Sequence, residues 1–138
     1  STYPSATRNV YAINARLKIE KLAADGVTVD AVLYDKAVYQ GFGSTEGGAE
    51  GGGKTNDSAY GAELNQAGLI VYGKNFFMTQ VTGVQQKTGL YRVTFSLDPQ
   101  ATVGGVAVPN HIKMVNKTDA GATLSPDGLS SSVTFTVN

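Results

Sequence analysis

From Ala12 onward, apolar and polar positions alternate. Ile13, Ala15, Leu17 and Ile19 interleave with Asn14, Arg16, Lys18 and Glu20, a period of two that places every charge on one face of a pleated strand. Ala, Arg, Leu, Lys and Glu are also good helix formers, but a helix over residues 12–20 would scatter the charges around its circumference, so a half-buried strand is expected. Asp25-Gly26 has the chemistry of a positive-φ hairpin turn, and Val27, Val29, Ala31 and Leu33, alternating with Thr28 and Asp30, predict the return strand. The pattern can be carried through Val38 and Tyr39.

Further along, Leu69–Tyr72 and Phe76–Val81 are β-rich runs divided by Gly73-Lys74-Asn75 and predict a second hairpin. Gly89 opens a strand in which Tyr91, Val93, Phe95 and Leu97 alternate with Arg92, Thr94 and Ser96, and Asp98-Pro99 closes it. Val103–Val108 and Ile112–Val115 read as weaker strands separated by Pro109-Asn110. Asp119–Gly121 and Ser125–Gly128 read as turns, and Val133, Phe135 and Val137 alternate with Ser132, Thr134 and Thr136 in a last strand. About eight or nine short strands without an amphipathic helix predict an all-β fold: a single-domain, jelly-roll-like β-sandwich over residues 1–138. Its expected core is Ile13, Leu17, Ile19, Val29, Leu33, Ile70, Phe77, Val93, Phe95, Leu97, Val133 and Phe135.

Two segments break the alternation. Residues 1–11 have no period, and Pro4 pushes Tyr3 toward an extended conformation, so they read as an N-terminal arm. Residues 41–61 carry Gly41, Gly43, Gly47, Gly48, Gly51, Gly52, Gly53 and Gly61 among small polar residues, and read as a long loop interrupting one domain.

Composition narrows the chemistry. The 138 residues include 11 basic and 11 acidic side chains, one histidine and no cysteine. Disulfides, thiolate-held metals and a cysteine nucleophile are therefore excluded. A balanced charge does not favour nucleic-acid binding, which draws on a basic excess. No run approaches the roughly twenty apolar residues of a membrane span, and no charged-then-apolar leader stands at the start, so a soluble chain is expected.

The sharpest formal motif is Gly48-Ala-Glu-Gly-Gly-Gly53-Lys54-Thr55, which satisfies the phosphate-loop pattern. That mechanism needs a buried strand before the loop and a helix after it, so that amides converge on the phosphates. Neither flank complies, and Glu46 and Glu50 would sit beside the anion, so a solvated or partner-ordered loop is the better reading. Gly41-Phe42-Gly43 lacks the third glycine of a dinucleotide fingerprint. His111 could serve a hydrolytic triad only with a serine elbow that the chain lacks, so it reads as a turn histidine. Asp30, Asp35, Asp98 and Glu63 could supply a glycosidase pair, but no spacing selects one, and no tryptophan offers a sugar platform. Asp119 and Asp127 are acidic turn residues that could meet calcium, although turn chemistry explains both. Asn56-Asp-Ser58 and Asn116-Lys-Thr118 match the glycosylation acceptor pattern. Tyr3, Tyr11, Tyr39, Phe42 and Tyr60 cluster around the arm and glycine loop, where they either pack on the domain or anchor a partner.

No catalytic, cofactor or metal constellation is thus expected, and the economical function is mechanical. The Ser1-Thr2-Tyr3-Pro4 arm, the Gly41–Gly61 loop and the strand pattern over residues 12–137 together resemble the small decoration or cementing proteins of tailed-bacteriophage capsids. The resemblance implies a non-enzymatic protein on the virion surface that docks, as a dimer or trimer, on an assembled major capsid shell and clamps adjacent capsomers. Candidate partner contacts are Tyr3, Pro4, Arg8, Tyr11, Phe42 and Tyr60. The alternatives are a secreted, cell-surface pilin-like filament subunit or adhesin assembling by strand exchange, and a small β-barrel enzyme or ligand carrier.

Overall fold

The structure, a computed structural model, describes residues 12–38, 61–64, 70–73, 76–81, 87–115 and 121–138. Within them the chain is all-β and antiparallel. Its strands are β1 (Ala15–Leu22), β2 (Val29–Ala37), β3 (Gly61–Leu64), β4 (Ile70–Gly73), β5 (Gly89–Leu97), β6 (Gln100–Val103), β7 (Val106–Pro109), β8 (Ala122–Leu124) and β9 (Ser130–Val137). Five form one sheet in the order β2-β1-β5-β9-β8, and β3-β4 and β6-β7 are separate hairpins.

Directly opposed residues of an antiparallel pair share a face. The rows Leu17–Phe95–Ser131, Ile19–Val93–Val133 and Lys21–Tyr91–Phe135 therefore run across one face of β1, β5 and β9. The other face carries Arg16–Ser96–Ser130, Lys18–Thr94–Ser132 and Glu20–Arg92–Thr134. The apolar face holds the core: Ala12, Ala15, Ile19, Tyr34, Val38 and Leu97 are buried together, with Leu17, Val93 and Phe95 packed alongside. Ile112, Met114 and Leu129 close over it from outside the strands. At about 25 cal/mol per Å² of apolar surface removed from water, this cluster is the main stabilising term.

Several expected elements are present nearly as read. β5 and β9 match their alternation, and the Asp25-Gly26 turn forms with Gly26 at φ 71°. The Asp25 carboxylate accepts hydrogen bonds from the Val27 and Thr28 amides at 2.9 and 2.8 Å, holding the turn. The Ser125–Gly128 turn forms likewise, with Gly128 at φ 72° and its amide donating to the Ser125 carbonyl at 3.0 Å.

Other expectations are corrected. β1 starts at Ala15, because residues 12–14 turn, the Ala15 amide donating to the Ala12 carbonyl at 3.1 Å, and it runs on to Leu22. Val27 is exposed in the bend before β2; Val29 is exposed and Tyr34 faces the core, because register shifts at Ile19/Glu20 and Lys21/Leu22 change the phase of β2. β4 pairs with β3 and not with residues 76–81, where Met78–Gln80 form a 3-10 turn and Phe77 is exposed. The run Val103–Val108 is a hairpin, since Gly104 and Gly105 at φ 57° and 78° make a two-residue turn whose hand matches strand twist. Residues 112–115 are not a strand, although Ile112 and Met114 still pack on the core. Val133 and Phe135 lie on the apolar face but are exposed. The side chain of Ile70 lies outside the described residues.

Buried Asn14 ties the hairpin β6-β7 to the sheet. Its side-chain amide donates to the Val108 carbonyl at 3.0 Å, and its own carbonyl accepts from the Asp98 amide at 2.8 Å.

Candidate functional site

The polar face is laced by ion pairs. Arg16 donates through Nε to both carboxylate oxygens of Asp98, at 2.9 and 3.1 Å, and through Nη1 to Asp35 at 2.9 Å. The Asp98 hydrogen bond, helped by Asp35 and opposed by burial, raises the Arg16 guanidinium pKa above its ordinary value. Arg92 reaches the buried Glu20 at 3.0 Å, and Lys18 approaches the same carboxylate at 3.7 Å. Alternation put these charges on one face, and strand pairing brought opposite signs together.

The carboxylates considered for acid–base work are accordingly placed. Asp35 and Asp98 share one guanidinium, Asp30 is exposed, and the side chain of Glu63 lies outside the described residues. Asp127 is a turn residue: it accepts from the Ser125 hydroxyl at 2.6 Å and the Leu129 amide at 3.0 Å, and these bonds hold its carboxyl below the usual range. Asp25 is lowered in the same way, chiefly by the Thr28 hydroxyl. Among the described residues no group of three or more His, Cys, Asp or Glu could hold a metal ion. His111 is exposed beside Asn110, whose side chain bonds both backbone groups of Ile112.

The candidate contacts Tyr3, Pro4, Arg8, Tyr11, Phe42 and Tyr60 lie outside the described residues, and so do Tyr39, the Gly48–Thr55 motif, Asn56, Asn116 and Asp119. The described surface offers a different candidate, on β9. Across the sheet, Lys21, Tyr91 and Phe135 form one row. Buried Lys21 places its ammonium 5.5 Å from the centre of the Tyr91 ring and donates weakly to the Leu22 carbonyl at 3.4 Å. Tyr91 is fully buried, its hydroxyl donates to the Lys87 carbonyl at 2.5 Å, and burial raises its pKa above the ordinary value. Phe135 stacks on Tyr91 and is 42% exposed, with Val133 beside it 38% exposed.

Among the described residues the edge of β9 is also incompletely paired. β8 covers only Ser131, Ser132 and Val133. Among the described residues no strand pairs with Thr134–Val137 on the side away from β5. Gly121, immediately before β8, takes φ 89°, a left-handed conformation that does not continue a strand. The sequence signal for this surface was the uncharged run Leu129–Asn138, of which alternation alone assigned Val133 and Phe135 to the core.

An all-β, antiparallel protein, with an uncharged strand β9 that is only partly paired on its outer side among the described residues, is the class that these features define. No family model matches the chain, and no curated protein or solved structure matches it either.

Proposed function

We propose that the chain is a non-enzymatic structural subunit that docks on an assembled lattice, in the manner of a capsid decoration or cementing protein of a tailed bacteriophage. The observation that carries the reading is the exposed apolar surface of β9, where Val133 and Phe135 face outward beside a strand edge that β8 pairs only in part among the described residues. Exposed apolar side chains at an unpaired edge are disfavoured in a solitary domain and mark a surface built for a neighbour. In this reading the hairpins β3-β4 and β6-β7 contribute to the second layer of a jelly-roll-like sandwich. The arm and glycine loop then supply further contacts to the major capsid protein on the virion exterior.

The test is immunogold electron microscopy of native material, using antibodies raised against the chain. Label on the outside of shells is expected. Label on fibres would replace this reading with that of a pilin-like subunit assembling by strand exchange, which the same edge would serve. Label on neither would overturn both.

A further inference from the structure

β1 carries four charged side chains, and three of them stand beside an opposite charge: Arg16 meets Asp35 and Asp98, and Lys18 meets Glu20, which also holds Arg92. Lys21 is the exception. Strand alternation turns it to the apolar face, in one row with Tyr91 and Phe135, and no carboxylate pairs with it among the described residues. The residue is only 8% exposed. An ammonium has three donors, yet the acceptor that Lys21 reaches is the Leu22 carbonyl at 3.4 Å, close to the outer limit of a hydrogen bond, with the Tyr91 ring 5.5 Å away as its other attractive contact. Burying a charge without an opposite one costs stability, and a methionine would fill similar space without that cost. Such a departure from otherwise consistent packing marks a functional position.

The surroundings define what answers this charge. The ammonium occupies the space of a side chain at position 89, since a Cβ added to Gly89 would stand 2.8 Å from Nζ. Gly89 opens β5 and is half-buried, while Lys87 and Thr88 just before it are exposed, so Nζ lies beside the end of the strand that leads to the surface. The Tyr91 hydroxyl is committed as a donor to the Lys87 carbonyl at 2.5 Å, which fixes the backbone there. No carboxylate pairs with Lys87 either among the described residues, so this corner of the sheet is positive. We infer that Lys21 is an anion-binding site that takes one carboxylate beside Gly89 and Tyr91. A carboxylate supplies the short, charge-assisted bond that the Leu22 carbonyl does not, and one buried cation balances a single negative charge rather than a phosphate dianion. This inference deepens the docking reading. The row Lys21–Tyr91–Phe135 leads in two strand spacings, roughly 10 Å, from the site to the exposed ring on β9. An Asp or Glu side chain of a partner seated on that ring is therefore one source of the carboxylate, and a free small carboxylate is the other.

Formate, the smallest carboxylate, is the probe. In thermal unfolding of the full chain at fixed pH and ionic strength, replacing chloride by formate should raise the wild-type midpoint saturably, by roughly 2 °C or more, because a ligand bound only by the folded state stabilises it. Lys21→Met should be at least as stable as the wild type in chloride and should lose the rise specific to formate. A second readout needs no variant: in carbon–proton NMR of the wild type, the Lys21 Cε resonance should shift saturably with formate, while that of exposed Lys113 should not. Equal rises in wild type and variant, or a Lys21 resonance that moves no more than that of Lys113, would overturn the inference and leave Lys21 a structural lysine. A carbodiimide, which joins an amine to a touching carboxylate as an amide and takes up the water as a urea, separates the two sources in native material. A Lys21 cross-link to another protein assigns the carboxylate to a docking partner, and its absence beside an intact formate response assigns it to a free small carboxylate. A cross-link to a carboxylate of the same chain would overturn the inference, because the ammonium would then be paired internally. Loss of the formate response would leave the shell-labelling result standing, and absence of shell label would leave the formate response standing.

Discussion

Tyr91 lies nearly parallel to Phe135, with ring centroids 5.7 Å apart and planes 17° from parallel, so a fully buried ring backs one that is 42% exposed. The pair is directly opposed across β5 and β9. It carries the apolar face of the sheet from the core to the surface, and makes the outer ring a rigid anchor at small entropic cost.

The two rings should therefore differ in their effect on stability. Tyr91→Ala leaves a cavity and is expected to cost about 3–5 kcal/mol, whereas Phe135→Ala, already half in water, should cost about 1–2 kcal/mol. Tyr91→Phe, which loses only the bond to the Lys87 carbonyl, should cost about 1 kcal/mol. Urea unfolding of the three variants checks the order, and equal losses for Tyr91→Ala and Phe135→Ala would refute it.

The ionic ladder is predicted to be unequal along its length. Glu20 has a side chain only 5% exposed, and Arg92 is its nearer partner. Arg92→Leu should therefore cost about 2–4 kcal/mol, because a buried carboxylate loses its closest cation. Lys18 is 37% exposed and stands 3.7 Å away, so Lys18→Ala should change stability by about 0.5 kcal/mol or less. Thermal unfolding measured in low and high salt separates them, with the smaller effect also the more salt-sensitive.

Turn glycines with similar backbone angles should tolerate substitution differently. At Gly128, φ 72°, an added Cβ would lie 2.8 Å from the Met114 carbonyl oxygen, a backbone atom tied by the bond from the Met114 amide to the Gly128 carbonyl. Gly128→Ala combines left-handed strain with this clash and should cost about 2–4 kcal/mol. Gly105, φ 78°, has open space around it, so Gly105→Asn should cost less than about 1 kcal/mol. Denaturant midpoints decide; a larger loss at Gly105 would contradict the packing described.

Acid should weaken the two carboxylate turns. Asp25 and Asp127 titrate below the ordinary value of 3.8 in the folded chain. A folded-state pKa below the unfolded one means stabilisation that is fully present above the unfolded value and is lost as pH falls through the folded one. The double variant Asp25→Asn, Asp127→Asn removes both titrations, so stability should fall less steeply below about pH 4 than in the wild type. Urea midpoints across that range test it, and identical slopes would show that other groups carry the acid response.

The alternation of Tyr91, Val93, Phe95 and Leu97, and that of Val133, Phe135 and Val137, determined β5 and β9 by itself, because a period of two is a property of the local backbone. The turns at Asp25-Gly26 and Ser125–Gly128 were equally legible, since each is closed by bonds within a few residues. Phase and cover were not. Two register shifts against β1 placed Val29 and Val32 in water and Tyr34 in the core, and such shifts depend on a partner strand that local pattern does not name. Alternation likewise separated the two faces of β9 without telling which would be covered. Only the tertiary arrangement decided that β8 is three residues long, that the edge beyond it stays unpaired among the described residues, and that Phe135 faces outward. Burial is set by what packs against a face, and that is a relation between distant segments.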